Sequence, residues 1–206
     1  MTPEGFAAAT NVSRETLDRL KAMDRVLIEW SDRHNLIARS TLPERWERHY
    51  FDSAQIAALL PADAKTLADL GSGAGFPGLV LAAILAERGG TTTLIESTGK
   101  KAAFLNEAVR AMGLSGVTVI PERIEAVKLS PAPEIVTARA LARLTKLLAY
   151  AHEIGGENTK YFFPKGQDVD SELAEASTCW QMTVKRHKSL TSPSGTILEI
   201  GKLARV

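Results

Sequence analysis

The clearest chemistry in this chain lies in a glycine-rich turn that directly follows a short apolar run. The turn begins two residues after a carboxylate, Asp69, and holds three glycines at alternate positions: Gly71, Gly73 and Gly75. Glycine accepts positive φ and lets bare main chain approach a ligand closely. Pro77 suits the first turn of a helix, whose free N–H groups carry a partial positive charge. The pattern predicts a strand, a tight turn and a helix start that together bind a ligand.

The spacing of these glycines indicates which ligand the turn binds. The dinucleotide motif is G-x-G-x-x-G, whereas here Gly75 comes one residue early and Phe76 stands at the expected glycine position. The order D-x-G-x-G-x-G resembles the cofactor loop of S-adenosylmethionine-dependent methyltransferases. That cofactor has an amino-acid tail, and Asp69 is the candidate to receive its ammonium group, directly or through water. An ordinary turn between a strand and a helix is the alternative.

Further candidate residues follow the later strands, at the edge of a parallel sheet where ligands bind. Glu96 ends the second predicted strand, which suits a carboxylate that binds ribose hydroxyls; a carboxylate at a helix start is the alternative. Ile124 and Glu125 follow the third strand, where they would border an adenine or begin a surface helix. Arg139 follows the fourth strand and would clamp a carboxylate, face a base or cap a helix.

Four other side chains have functional groups that could take part in chemistry. His49 and Asp52 lie three residues apart on a predicted helix, as an acid–base pair or as a structural hydrogen bond. Lys165 follows the fifth predicted strand, at the same edge of the sheet. Cys179 lies in no activating motif, and no His and Cys residues cluster with the spacing of metal ligands. The sequence therefore predicts neither covalent attack by a thiol nor a metal site.

The elements that must position these residues alternate between strands and helices beyond residue 63. Such alternation predicts an α/β fold in which helices cover both faces of a parallel sheet. The last two strands have no helix between them, so they form a hairpin and make one strand antiparallel. The predicted strands are 66–70, 91–95, 117–120, 135–137, 161–163, 182–186 and 196–200. The predicted helices are 13–30, 44–60, 78–88, 100–112, 143–152 and 170–177.

Length and composition are those of one domain with a full hydrophobic core. The chain has 206 residues, of which 45% are hydrophobic, and a formal net charge of +1. We expect a helical extension or lid at 1–62 and a catalytic core at 63–206. The near-zero charge means that any RNA surface must come from local clusters of Lys and Arg. A single cysteine, no signal peptide and no membrane-spanning stretch predict a cytoplasmic protein.

Several motifs occur together and in order, and they resemble the bacterial RsmG/GidB family of 16S ribosomal RNA guanine-N7 methyltransferases. The resemblance extends from about residue 25 to the C-terminus. The most specific motifs are the Gly-Phe-Pro-Gly ending of the glycine loop and the upstream His-x-x-Asp-Ser. The motifs are Trp30 with Asn35-Leu36, His49 to Ser53, Asp69 to Gly78, Glu96 to Leu105, Arg123 to Glu125, Arg139-Ala140 and Lys165 to Gln167.

The resemblance implies a class I methyltransferase fold, which is Rossmann-like, with a seven-stranded, mostly parallel sheet, an antiparallel C-terminal strand and N-terminal helices. It implies S-adenosyl-L-methionine as the cofactor and methylation of N7 of one guanine in 16S rRNA near the decoding centre. The cofactor contacts that carry over are Gly71, Phe76, Ile124, Glu125 and Arg139, with Glu96 at the ribose position.

Guanine N7 has an in-plane lone pair that needs no proton removed, so no catalytic base is expected. His49, Arg139 and Lys165 are the candidates to position the guanine or a nearby phosphate. The expected partner is 16S rRNA, free or within the 30S subunit, and the expected state is a monomer. Two alternatives stay open from the sequence: a nicotinamide dehydrogenase, and a non-catalytic RNA-binding or assembly factor that keeps the fold.

Overall fold

The computed structural model describes all 206 residues, and its centre is one seven-stranded sheet. The strands are β1 (Thr66–Leu70), β2 (Thr91–Ile95), β3 (Val117–Ile120), β4 (Ile135–Thr137), β5 (Lys160–Lys165), β6 (Trp180–Lys188) and β7 (Thr196–Arg205). Their order is β3-β2-β1-β4-β5-β7-β6, and only β7 runs antiparallel to its neighbours. The predicted fold class is therefore confirmed, including the single antiparallel strand of the C-terminal hairpin.

Seven α-helices surround the sheet. They are α1 (Pro3–Thr10), α2 (Arg14–Ser31), α3 (Asp52–Ala54), α4 (Gly78–Ala86), α5 (Gly99–Ala111), α6 (Leu144–Ile154) and α7 (Val169–Ala176). Leu94 and Ile95, adjacent on β2, belong to two different hydrophobic clusters because successive side chains of a strand point to opposite faces. The cluster of Leu94 contains α2, α4 and α5, whereas that of Ile95 contains α6 and α7. Helices thus cover both faces of the sheet. No helix is long and apolar enough to cross a membrane.

The N-terminal segment contains one helix that the sequence did not indicate. Helix α1 is only eight residues long, and isolated helices of that length are marginal in water. Thr2 caps it by accepting a hydrogen bond from the Gly5 N–H at 3.0 Å. Its one large apolar residue, Phe6, is fully buried and meets Trp46 edge to face at 5.5 Å between ring centroids. Tertiary packing through Phe6 therefore stabilises a helix whose own sequence is a weak signal.

The helix predicted at 44–60 is present but irregular. A π-helical turn, Trp46–Phe51, leads into α3, and a 3-10 turn, Gln55–Leu59, follows it. The side chains of Trp46 and Tyr50 are buried and stack at 4.2 Å between ring centroids. π-Helical turns are frequent at functional sites, where they re-aim side chains. Here the π-helical turn also contains His49, one of the candidate site residues.

The strand order places the predicted site residues at one edge. β1 lies between β2 and β4, so the chain reverses its direction of travel across the sheet at this point. In open α/β sheets, ligands bind beyond the carboxyl ends of the strands at such a switch point. The glycine loop follows β1, Glu96 follows β2 and Arg139 follows β4. At the far side of the sheet, β6 forms an exposed edge strand that pairs with β7 alone.

We expect Phe6→Ala to lower the free energy of unfolding by about 3–5 kcal/mol, the usual cost of truncating a buried Phe. Urea unfolding followed by circular dichroism measures this cost. Ala9→Gln on the exposed face of α1 is the matched control and should change stability by less than about 0.5 kcal/mol. Equal stability of the Phe6→Ala variant and the wild type would show that α1 does not pack on the domain.

Candidate active site

The loop between β1 and α4 takes the conformation that its glycines allow. Gly71, Gly73 and Gly75 have φ values of +64°, +54° and +84°, all in the left-handed region. A Cβ atom at Gly71 would lie 2.5 Å from Leu141 Cδ1, so the loop packs directly against the segment after β4. Beside Gly73 the space is open, and the nearest atom to a Cβ there is the Gly71 carbonyl oxygen at 3.7 Å. The main chain at Gly73 is thus open to a ligand.

The carboxylate of Glu96 holds this loop from the end of β2. Its Oε2 accepts a hydrogen bond from the Gly73 N–H at 2.9 Å, and its Oε1 accepts one from the Thr98 N–H at 2.7 Å. Each carboxylate oxygen has a further lone pair, so Glu96 still offers acceptors to hydroxyl groups. The structure adds a loop-holding role that the sequence did not indicate, and ribose binding remains a prediction.

The first cavity lies between the glycine loop and the segments that follow β2, β3 and β4. Its volume of about 370 Å³ is within the range of small-molecule sites. Five predicted cofactor residues line it together: Gly71, Glu96, Ile124, Glu125 and Arg139. Its other lining residues include Lys101, Ala140, Leu141 and Tyr150. Tyr150 belongs to α6, far along the sequence from any recognisable motif, and only the fold brings it here.

The carboxylate of Asp69 is buried and does not line the first cavity. Its Oδ1 accepts a hydrogen bond from the Thr137 hydroxyl at 2.8 Å, between the neighbouring strands β1 and β4. Its Oδ2 is buried without a partner. In this structure Asp69 joins two strands beneath the loop, and its contact with a cofactor ammonium group, directly or through water, stays a prediction. Burial raises the pKa of Asp69 to about 6.

Arg139 is the centre of a cluster that reaches the N-terminal segment. Its Nη1 donates to Asp52 Oδ2 at 3.2 Å and to the Arg48 carbonyl oxygen at 3.3 Å. Its guanidinium carbon lies 5.3 Å from the centroid of the Phe76 ring, within cation–π range. Phe76 is buried in this cluster and does not line the first cavity, and its expected contact with the cofactor stays a prediction. Burial lowers the pKa of Arg139, but a guanidinium stays charged in proteins.

His49 belongs to the same cluster as a neutral ring. Burial, with the nearby Arg139 charge, lowers its pKa to about 4. Arg139 Nη2 lies 3.1 Å from His49 Nδ1, and because guanidinium only donates, Nδ1 accepts. We therefore assign the proton to Nε2, which lies 2.9 Å from Thr41 Oγ1 and donates to it. His49 and Asp52 form no hydrogen bond with each other. Each contacts the Arg139 guanidinium instead, so Arg139 links the two side chains.

The second cavity adjoins the first and shares Arg139 and Ala140 with it. Its volume is about 270 Å³. Ala140 has a φ of +53°, a strained conformation for a residue with a side chain, and such strain clusters at functional sites. The lining is mostly polar and includes Asp52, Gln55, Lys165, Glu172, Ser189 and Ser192. The predicted Lys165 is thus at the site, whereas Glu172 was missed because it lies within α7 and belongs to no motif.

Comparison with solved structures identifies the fold. The fold is similar to an S-adenosylmethionine-dependent methyltransferase from Aquifex aeolicus, with a TM-score of 0.57 and 15% identity over 77% of this chain and 93% of that one. A TehB-like S-adenosylmethionine-dependent methyltransferase from Corynebacterium glutamicum gives a TM-score of 0.56 and 14% identity over 85% and 97% of the two chains. The chain therefore has the class I methyltransferase fold.

Comparison of sequences then gives the family. The model of the GidB family, described as rRNA small subunit methyltransferase G, matches residues 16–200, and the chain belongs to this family. A ribosomal RNA small subunit methyltransferase G from Rhodospirillum rubrum is 46% identical over 205 residues, which is 100% of both chains. Its counterpart from Rhodospirillum centenum is 48% identical over 97% of this chain and 90% of its own length. This membership decides against the nicotinamide dehydrogenase.

We expect Gly73→Val to weaken cofactor binding at least tenfold in a folded protein. A branched side chain would fill the open space beside the loop, and the left-handed backbone would cost about 1–2 kcal/mol of stability. Gly89→Val is the matched control, since Gly89 has a φ of +67° with no atom near its Cβ position and lies in the turn after α4. Calorimetry with S-adenosylmethionine should show wild-type affinity for the control. Unchanged affinity in a folded Gly73→Val variant would remove this part of the loop from the site.

A second prediction concerns the dependence of stability on pH. The pKa of Asp69 rises from 3.8 to about 6 on folding, so the folded state binds more protons between these values and stability falls as pH rises through this window. Relative to Asp69→Asn, the wild type should therefore lose about 3 kcal/mol of unfolding free energy between pH 3.5 and pH 7. Denaturant unfolding at a series of pH values measures the difference. If the wild type and Asp69→Asn lost stability in parallel over this pH range, the pKa of Asp69 would not be raised by folding.

Proposed function

We propose that this protein methylates N7 of one guanine in 16S rRNA, near the decoding centre of the small ribosomal subunit, with S-adenosyl-L-methionine as the methyl donor. The observation that carries the proposal is the pair of adjoining cavities at the sheet edge, which share Arg139 and Ala140. One cavity is built on the glycine loop, and the other is polar and large enough for a base. Membership of the GidB family and the described likeness to rRNA methyltransferases support this substrate.

The residues of the first cavity fit the proposed cofactor. Gly73 does not line this cavity, but its open main chain beside the loop would hold the amino-acid tail, while the Glu96 acceptors would hold the ribose hydroxyls and Ile124 would face the adenine. Glu125 and Gly71 complete the wall, and Arg139 closes it toward the second cavity. When bound, S-adenosyl-L-methionine supplies a methyl group attached to a positively charged sulfur. In this proposal Asp69 and Phe76 remain cofactor-binding residues, and they also support the loop and Arg139 through their contacts with Thr137 and the Arg139 guanidinium.

The protein's part in the reaction is positioning rather than proton transfer. Guanine N7 presents a lone pair without first losing a proton, so no general base is required. His49, the one histidine in the cluster, is neutral at pH 7 and its Nδ1 already accepts from Arg139. Arg139, held by Asp52 and His49, places a fixed cation between the two cavities. Alignment of the reacting atoms then supplies most of the rate enhancement.

The remaining parts of the proposal concern organisation and partners. Residues 1–62 form a helical extension that closes over the core at 63–206, since Arg48, His49 and Asp52 of the extension all contact Arg139 of the core. The protein works as a cytoplasmic monomer on 16S rRNA, free or within the 30S subunit. An accessible, unpaired guanine is needed, because a base in a stacked helix does not enter a closed cavity.

The decisive experiment transfers labelled methyl from S-adenosylmethionine to 30S subunits and to free 16S rRNA, followed by mapping of the modified base. Label on one guanine is expected. Replacement of that guanosine by 7-deazaguanosine, which lacks N7, should abolish transfer. Retained transfer would place the methyl elsewhere on the base. Cofactor and RNA binding without any transfer would favour the non-catalytic assembly factor.

His49→Asn tests the absence of a general base. We expect slower single-turnover transfer, because Arg139 loses a positioned acceptor, but a flat rate between pH 6 and pH 9 for both the variant and the wild type. The reason is that His49, with a pKa of about 4, does not titrate in this range and N7 carries no proton. Rapid-quench measurements at saturating cofactor give the rates. If the wild-type rate rose tenfold per pH unit and the rate of the variant did not, His49 would be a general base. That result would contradict the assignment of guanine N7 as the nucleophile.

A further inference from the structure

The polar groups of the second cavity differ in how far the protein already uses them. Asp52 accepts from Arg139, Gln55 and Thr191, and Gln55 in turn accepts from the Leu190 N–H through its Oε1. These groups form an internal network that holds the loop between β6 and β7 against the N-terminal segment. Their hydrogen-bonding capacity is therefore largely taken, and they form the wall of the cavity rather than its recognition surface.

Lys165 and Glu172 differ from these groups, because the protein leaves part of their hydrogen-bonding capacity unused. Lys165 Nζ lies 2.6 Å from Glu172 Oε2, and both side chains are largely buried, with exposed fractions of 9% and 15%. Oε2 also accepts from the Leu144 N–H at 2.6 Å, whereas Oε1 accepts no hydrogen bond from the protein. Lys165 Nζ donates a hydrogen bond to the Ala142 carbonyl oxygen at 3.3 Å and forms an ion pair with Glu172, so at least one of its three N–H groups has no acceptor in the protein. The pair therefore presents one free donor beside one free acceptor.

This donor–acceptor pair is complementary to one purine only. Guanine presents O6, an acceptor, next to N1–H and the 2-amino group, which are donors. Adenine presents the reverse, a 6-amino donor next to the N1 acceptor. If N7 faces the wall shared with the first cavity, the orientation of the base is fixed and adenine cannot turn over to exchange the two groups. We infer that Lys165 donates to O6 and that Glu172 Oε1 accepts from N1–H and the 2-amino group of the target guanine.

This inference rests on the proposed function and makes Glu172 a specificity residue of that reaction. A site whose polar groups are left unpaired by the wrong substrate discriminates far more strongly than an apolar pocket does. Recognition of guanine also accounts for the position of the Glu172 carboxylate, which lines a base-sized cavity and has its charge balanced by Lys165. The neutralised pair adds hydrogen-bonding direction without adding net charge beside the nearby Arg139.

The test uses Glu172→Gln with rRNA that carries guanosine or adenosine at the position that the wild type methylates. The Leu144 N–H and Lys165 Nζ both require an oxygen, so the new amide oxygen faces them and its NH₂ group replaces Oε1. The acceptor at the position of Oε1 thus becomes a donor, which would face the N1–H donor of guanine. The preference for guanosine over adenosine in kcat/KM should therefore narrow about tenfold or more. Cofactor affinity in calorimetry should stay at the wild-type value.

Glu175→Gln is the matched control, because Glu175 lies at the end of α7, pairs with the exposed Arg143 and does not line the second cavity. It should keep the wild-type preference. A folded Glu172→Gln variant with unchanged preference would overturn the inference while leaving the proposed function intact. If wild-type protein transfers no methyl to any guanosine, the proposed function itself fails.

A measurement on the wild type keeps the inference falsifiable if the variant does not fold. Inosine at the target position keeps N7, O6 and N1–H but lacks the 2-amino group. Loss of that one donor to Oε1 should lower kcat/KM by about three- to tenfold. Equal rates on inosine and guanosine would show that the carboxylate does not contact the 2-amino group, and would overturn the assignment.

Discussion

The ion pair between Arg139 and Asp52 is the interaction on which the arrangement of the site depends. Both side chains are only about one-fifth exposed, at 20% and 19%, so neither charge is well solvated without the other. Removal of one partner from a buried pair leaves an uncompensated charge and typically costs about 3–5 kcal/mol. Asp52 also accepts from Thr191 in the loop between β6 and β7. One carboxylate thus joins the N-terminal segment, the end of β4 and the C-terminal hairpin around the shared wall of the two cavities.

The ionisable groups near this wall are arranged so that their charge changes little around neutral pH. Arg139 stays cationic, His49 stays neutral with a pKa of about 4, and Asp69, with a pKa of about 6, is mostly ionised by pH 7. At higher pH the charges of these three groups are constant. Such constancy suits a nucleophile that carries no proton, because the protein has no proton to accept and needs only to hold its partners still.

The fold was predictable from local pattern, and the site was predictable only in part. The four strands β1 to β4 occupy the expected residues because short apolar or β-branched runs bounded by turn residues carry a strong signal. Glu96 and Arg139 were identifiable from their position after strands. The contact of Asp69 with Thr137 depends on the register between β1 and β4, which no local pattern records. The neutral state of His49 likewise arises from Phe76 and Arg139, which lie far away in the sequence.

The exposed edge strand β6 has a consequence for association between chains. Its outer backbone N–H and C=O groups are unpaired, and a long open edge invites another strand to add to the sheet. The exposed side chains on this strand include Lys185 and Arg186, which form ion pairs with Glu199 and Asp170, and Lys188. An identical strand from a second copy would bring these cations side by side, which opposes edge-to-edge pairing. The basic edge is therefore a safeguard against sheet extension and aggregation, and it lets a nine-residue strand end the sheet without a covering helix.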